Sequence, residues 1–171
     1  MKKIVIVGAL GYLGTELCKI YSGESWHNKV IGIDSRFLSE RVSQLKEWNI
    51  EFFQGHILDI GFLRKHLSDA DIIHHLAGVT DVAYVRNESS KELDEKIRSI
   101  AIDGTNNILK SIPTKCKIIF PSTHVVFEGF TKTKIKIDET ETPKPVLMYA
   151  SSKVQNEKDI KDSKRNHIIL R

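Results

Sequence analysis

Short apolar runs rich in β-branched residues alternate along this chain with longer stretches in which apolar residues recur every three or four positions. The first pattern has the period of strands and the second that of amphipathic helices; their alternation marks βαβ units building a parallel sheet. Strands are predicted at Lys3–Val7, Val30–Ile33, Glu51–Gln54, Ile72–His75, Lys117–Pro121 and His167–Leu170. Few charges interrupt them, as expected when helices cover both faces of the sheet. Helices are predicted at Gly11–Ser22, Ser39–Glu47, Ile60–Leu67, Ser89–Ser111 and Leu147–Ser163, with Asp59 or a polar neighbour and Ser89 as N-caps. The expected fold class is therefore α/β, a Rossmann-like doubly wound parallel sheet with helices on both faces. The segment Val125–Val146 holds Gly129, Pro143, Pro145 and a polar run, and reads as an active-site loop rather than a domain linker.

Length and charge narrow the function classes. A chain of 171 residues with 40% apolar side chains fills one core and hardly two, so residues 1–171 are expected to form a single nucleotide-binding domain. The net charge of +4 is spread over mixed-sign helix faces instead of a basic stripe, which argues against nucleic acid as a partner. No apolar run approaches the roughly 18 residues of a membrane span, and Met1 leads through two lysines directly into a strand. A cytoplasmic protein without a membrane partner is expected. Cys18 and Cys116 lie far apart and outside any CxxC pair, as reduced core or near-core thiols would.

The first chemical signal is Gly8-Ala9-Leu10-Gly11-Tyr12-Leu13-Gly14, which follows a strand and opens a helix. Gly8 allows the tight turn, Gly11 the approach of a pyrophosphate to the backbone, and Gly14 close packing of helix on sheet, while free N–H groups at the helix start attract phosphate. The spacing is GxxGxxG, not the GxGxxG of the standard dinucleotide fingerprint. Asp34 stands at the end of the second predicted strand, where a carboxylate can accept hydrogen bonds from the adenosine ribose hydroxyls; a turn residue or helix cap is the alternative. With Ser35 and Arg36 beside it, this turn points to NAD. A 2′-phosphate would meet the carboxylate with repulsion that only Arg36 could offset, which makes NADP the lesser candidate. The pair His74-His75 is not expected to bind a metal, because adjacent strand residues face opposite sides and no further ligands are spaced to complete a site.

The second signal is Tyr149-Ala150-Ser151-Ser152-Lys153. Residues four apart share a helix face, so the Lys153 ammonium is expected near the Tyr149 phenol, lowering its pKa and fitting it for acid–base work. The pair follows Pro121-Ser122-Thr123, at the carboxyl end of the fifth strand where open α/β sheets bind ligands, and Thr123 can hydrogen-bond the same substrate oxygen.

Taken together these motifs resemble the NAD-dependent epimerase/dehydratase family, the extended short-chain dehydrogenases/reductases, over the whole chain. The run Ile118-Ile119-Phe120-Pro121-Ser122-Thr123-His124-Val125-Val126-Phe127-Glu128 is similar to that family's strand ending in SSxxVYG, Tyr149 to Glu157 to its YASSKVQNE-like helix, and Gly104-Thr105-Asn106-Asn107-Ile108-Leu109 to its GTxNLL helix. The resemblance implies a catalytic triad of Thr123, Tyr149 and Lys153. In it, tyrosine removes a proton from a sugar hydroxyl as hydride passes to nicotinamide, and Lys153 also touches the nicotinamide ribose. It implies that Asp59 and Ile60 flank the adenine, a role compatible with Asp59 as a helix cap, and that Leu76, Ala77 and Gly78 let the backbone pass close to the cofactor. A nucleotide-sugar substrate and a homodimer through the two longest helices are further implications; a non-catalytic NAD-binding module is the alternative function. The chain departs from the family at Phe127 and Glu128, in place of tyrosine and glycine, and at Ala101, in place of asparagine. His124 is unusual too, either a second acid–base group or a neighbour facing off the catalytic side. The chain ends at Ile168-Ile169-Leu170-Arg171, where family members continue into the region that holds the nucleotide-sugar. A truncated enzyme is therefore expected, whether fragment, natural truncation or split partner.

Overall fold

The apolar runs of the central strands leave little solvent face, and the chain stacks them, with two edge strands that are more open, into one six-stranded sheet with helices on both sides. A computed structural model describes residues 1–23, 28–79, 91–129 and 137–171. The strands are β1 (Lys2–Val7), β2 (Asn28–Asp34), β3 (Glu51–Gln54), β4 (Ile72–His75), β5 (Lys117–Pro121) and β6 (His167–Leu170). Every pairing is parallel and the order is β3-β2-β1-β4-β5-β6. The chain winds outward one way from β1 and then the other, so the strand order reverses between β1 and β4 and opens a crevice at their carboxyl ends.

Residue alternation along β1 sorts the core into two layers. Ile4 and Ile6 pack with Cys18 of α1 (Tyr12–Ser22) and Leu45 of α2 (Ser39–Glu47). Val5 and Val7 face the other layer, with Leu63 and Leu67 of α3 (Ile60–Leu67), and with residues of two further helices. Those helices follow α4 (Lys91–Arg98): they are α5 (Gly104–Ser111), which supplies Ile108 and Leu109, and α6 (Met148–Asp162), which supplies Ile160. Asp59 caps α3 by accepting from Phe62 N at 2.9 Å.

The expected unbroken helix Ser89–Ser111 differs from the structure. Ser89 lies outside the described residues, and between α4 and α5 the backbone widens into a π turn, Ser99–Asp103, in which Gly104 N–H reaches back five residues to Ser99 O. Two contacts account for it. Thr105 Oγ1 takes up Ala101 O at 2.6 Å, and Gly104 packs so closely on Ile57 that an added Cβ would stand 2.4 Å from Cδ1. Hydrophobic spacing does not register one extra residue in a turn. Of the loop Val125–Val146, residues 130–136 lie outside the described residues; at its start, His124–Phe127 form a 3₁₀ turn capped by Thr123.

Candidate active site and cofactor cavity

The crevice at the switch point is a cavity of about 540 Å³. On one side it is built from backbone. Gly8 adopts φ 95°, and both its N–H and that of Ala9 donate to Ile33 O, at 2.7 and 3.0 Å, folding the loop over the end of β2. A Cβ on Gly8 would stand 2.8 Å from Ala77 N, and one on Gly14 would stand 2.2 Å from Gly8 O. The chain therefore passes itself at distances only hydrogen leaves open. Gly11 is the N-cap of α1 and supplies no side-chain cap, so the first N–H groups of the helix are left for a ligand. Asp34, 6% exposed, is fixed at the rim of this loop. Its Oδ2 accepts from Leu10 N at 3.0 Å and its Oδ1 from Arg36 N at 3.0 Å, with Arg36 Nε at 3.3 Å. With Arg36 Nη2 also 3.5 Å from Oδ2, four donors meet the roughly four lone-pair positions of the carboxylate, so a diol would take the place of the exposed Arg36 guanidinium.

The opposite side is made of side chains. Tyr149 is buried, and the Thr123 side chain is near enough to its phenol to oppose the upward pull of burial on its pKa. Thr123 Oγ1 also accepts from Val125 N at 3.2 Å. Lys153 Nζ donates to Pro121 O at 2.9 Å and lies 4.5 Å from the centre of the Phe120 ring. Burial pulls this ammonium down to about 8, against an opposing pull from Glu157. Behind it His75, fully buried on β4, meets Thr105 Oγ1 at 2.8 Å and is held down to about 3 by burial and then by Lys153.

Most of the predicted cofactor residues come together here. Gly8, Gly11, Tyr12, Leu13 and Gly14, the Asp34–Arg36 turn, Leu76, Ala77 and Gly78, and Tyr149 with Lys153 all line the one cavity. Asp59 and Ile60 do not; the β3–α3 turn reaches it through Gly55, His56 and Ile57 instead. Ser122, rather than Thr123, lines it from β5, and Thr123 is tied in through Tyr149. The expected lowering of the tyrosine pKa is corrected. Burial raises the Tyr149 phenol, the Thr123 side chain opposes it, and Lys153, with Nζ 6.0 Å from the phenol ring centre, donates a hydrogen bond to Pro121 O. His124 is exposed and faces a second cavity of about 390 Å³ with Phe127, Glu128 and Arg171. His74 and His75 diverge: His74 Nε2 meets Tyr21 of α1 at 2.9 Å, while His75 meets Thr105 of α5. No group of residues that could hold a metal occurs among the described residues.

Sequence reasoning missed Ser122, Glu157 and Arg171. Glu157 lies four residues after Lys153 in the same helix and is 2% exposed, with Arg171 Nη2 2.6 Å from its Oε2. Its sequence signals were that helical spacing and its place at the end of the family-like Tyr149–Glu157 segment.

Comparison with known proteins follows the same lines. The model of the 3-beta hydroxysteroid dehydrogenase/isomerase family matches residues 5–169. Among curated proteins, the chain is 29% identical over 136 residues to dTDP-D-glucose 4,6-dehydratase of Dictyostelium discoideum, covering 74% of this chain and 30% of that one. It is 25% identical over 164 residues to UDP-glucose 4-epimerase of Mycoplasma genitalium, covering 91% and 46%. Among solved structures, the UDP-Glc/GlcNAc 4-epimerase of Campylobacter jejuni superposes with a TM-score of 0.85 at 21% identity, over 100% of this chain and 53% of that one. A UDP-glucuronic acid 4-epimerase mutant from Bacillus cereus, in complex with UDP-4-deoxy-4-fluoro-glucuronic acid and NAD, gives 0.84 at 25% identity, over 99% and 55%. The chain thus spans less than half of these curated relatives and about half of these structures.

Proposed function

This chain belongs to the 3-beta hydroxysteroid dehydrogenase/isomerase family, within the extended short-chain dehydrogenases/reductases, and from that premise we propose that it binds NAD and carries the cofactor-side chemistry of a nucleotide-sugar epimerase- or dehydratase-type oxidoreductase. One observation carries the reading: a single cavity is lined by the glycine cradle at α1 and by Tyr149 and Lys153 at α6, so a dinucleotide held on the cradle would have the acid–base pair within the same cavity. The cradle fits the group on steric grounds, since the closest approaches occur where only glycine leaves room. The free N–H groups of α1 would hold the pyrophosphate and Asp34 the adenosine ribose. The Leu76–Gly78 segment would pass beneath the cofactor.

When bound, NAD supplies a hydride acceptor; orientation and proton transfer fall to the protein. Tyr149 Oη takes the proton of the substrate hydroxyl, Thr123 beside the phenol orients that oxygen, and Lys153 holds the positive charge nearby. Because burial raises the free phenol, the tyrosine depends on the nearby Lys153 ammonium to reach its working state; one N–H of that ammonium is held by Pro121 O and two are left for a ligand. A nucleotide-sugar substrate is favoured over a steroid by the two curated relatives, a dehydratase of dTDP-D-glucose and an epimerase of UDP-glucose. The buried thiols Cys18 and Cys116, which burial raises to about 12 and about 11, fit a reducing cytoplasm. No helix among the described residues is long and apolar enough to cross a membrane.

Parallel calorimetric titration with NAD and NADP tests the reading, with Asp34→Ala as the control. NAD-selective binding that weakens in the variant is expected. Tighter binding of NADP would overturn the cofactor preference, and no binding of either by a folded chain would overturn the proposal.

A further inference from the structure

Glu157 is a buried charge that does not itself line the cofactor cavity. A carboxylate taken out of water is costly unless its oxygens are paired, and here both are. Arg171 Nη2 meets Oε2 at 2.6 Å, and Arg171 Nε meets Oε1 and Oε2 at 3.1 and 3.2 Å. The Ser122 hydroxyl donates to Oε1, and Lys161 Nζ lies 3.8 Å from Oε2. The residue after β5, the residue after β6 and the middle of α6 thus meet on one side chain. Ser122 is held twice, since its N–H also donates to Leu170 O at 2.6 Å. Its peptide partner is Pro121, whose carbonyl is the acceptor for Lys153 Nζ.

We propose that Glu157 is the positioning residue for Lys153: through Ser122 and Arg171 it fixes the Pro121 carbonyl beneath the ammonium, and its carboxylate supplies the opposite charge one helical turn away. The groups facing the ammonium are few. Tyr149 and Glu157 come from its own helix, His75 from β4 is held neutral by burial, β5 contributes the Pro121 carbonyl and the Phe120 ring, and Arg171 after β6 is engaged on Glu157. Burial drags the lysine toward neutrality and Glu157 is the opposing influence. Without it the ammonium would lose both its charge partner and the anchor of its hydrogen-bond acceptor.

The inference rests on Lys153 serving the proposed site, so the lysine and the cofactor are read separately. The chain is labelled with ¹³C at lysine Cε, the Lys153 signal is assigned by its loss in Lys153→Arg, and its titration midpoint is followed by NMR in the wild type, Glu157→Gln and Ser122→Ala. In Glu157→Gln the midpoint is expected to fall by about one pH unit, as loss of a close opposite charge does. In Ser122→Ala, which cuts one hydrogen bond, leaves the ion pair whole and keeps a readout should the first variant not fold, a fall of about half that size is expected. A purely structural role would lower the melting temperature and leave the midpoint in place, and an unchanged midpoint in the folded variants overturns the proposal. Calorimetry with NAD on the same samples separates the two readings: a wild type that fails to bind NAD removes the cofactor assignment, while the lysine titration still decides the role of Glu157.

Discussion

At the α1 end the cavity wall is backbone: Gly8 at φ 95°, Gly14 against Gly8 O, and helix N–H groups with no side-chain cap. At the α6 end the wall is a relay of side chains, from Thr123 to Tyr149 and from Lys153 through the Pro121–Ser122 peptide to Glu157 and Arg171. A backbone wall is specified by what is missing, and it fails through steric overlap whatever the pH. A side-chain wall is specified by charge and hydrogen bonding, and it responds to protons.

The largest effect is expected on the backbone side. In Gly14→Val the first added carbon would stand 2.2 Å from Gly8 O and 2.8 Å from Ala9 Cα, and neither atom belongs to a side chain that could swing aside. NAD affinity should fall at least about a hundredfold, about 2.7 kcal/mol, with a stability loss of similar size in urea unfolding. The loss should be the same at pH 6 and pH 9. A pH-dependent loss would blur the distinction between the walls.

Lys153→Met tests the other wall, and its sign is opposite. The lysine titrates at about 8 in the folded chain and at its ordinary value of 10.5 when unfolded. Between those values the unfolded state binds more protons, so stability rises with pH across that window. Below about 8 both states are protonated, and the full cost of the buried ammonium is present. The methionine variant should therefore be more stable than wild type at pH 7, on the order of 2–3 kcal/mol. That advantage should shrink to nothing as pH rises from about 8 toward 10.5. Equal stabilities at pH 7 would mean that solvent reaches the ammonium.

Thr105→Val probes the packing beneath both walls. The single hydroxyl proton of Thr105 goes to Ala101 O at 2.6 Å, so His75 Nε2, 2.8 Å from the same oxygen, must carry hydrogen and donate. Both residues are buried, at 1% and 2% exposure, and removal of the hydroxyl leaves an imidazole N–H without a partner. A loss of about 1–3 kcal/mol is expected. Nitrogen NMR should find the wild-type imidazole neutral with hydrogen on Nε2; hydrogen on Nδ1 would reverse the assignment.

The same division explains what could be read from the amino-acid sequence. Strands such as Glu51–Gln54 and Ile72–His75, and the glycine loop, are local patterns, and the structure has those strands at the predicted residues. Asp34 was legible because a fold-level spacing places it. The side-chain wall was legible only where it is local, as in Tyr149 and Lys153 at four residues' separation. The link from Glu157 to Ser122 spans 35 residues and that from Glu157 to Arg171 spans 14, and nothing in either stretch announces a pairing made by three converging elements. The tyrosine pKa was misjudged for a related reason: spacing places a lysine nearby but is silent about burial and about the Pro121 carbonyl that accepts a hydrogen bond from it.

Asp59 sits between the two kinds of wall, and the smallest predicted effect belongs to it. Its Oδ1 accepts from Phe62 N at 2.9 Å as the N-cap of α3, and the cavity is lined by Gly55, His56 and Ile57 rather than by Asp59. Removing such a cap costs about 1 kcal/mol. If capping is its whole task, Asp59→Ala should lower stability by that amount and leave NAD affinity within about twofold, since the turn is also held by Asn107 Nδ2 on Ile57 O at 3.2 Å. Asp59→Asn, which retains a capping oxygen, should then recover the stability. An affinity loss of about tenfold in both variants would instead reveal a direct contact of the carboxylate with adenine, made only when the ligand is bound. The turn after β3 would then join the side-chain wall, and the backbone wall would end at Asp34.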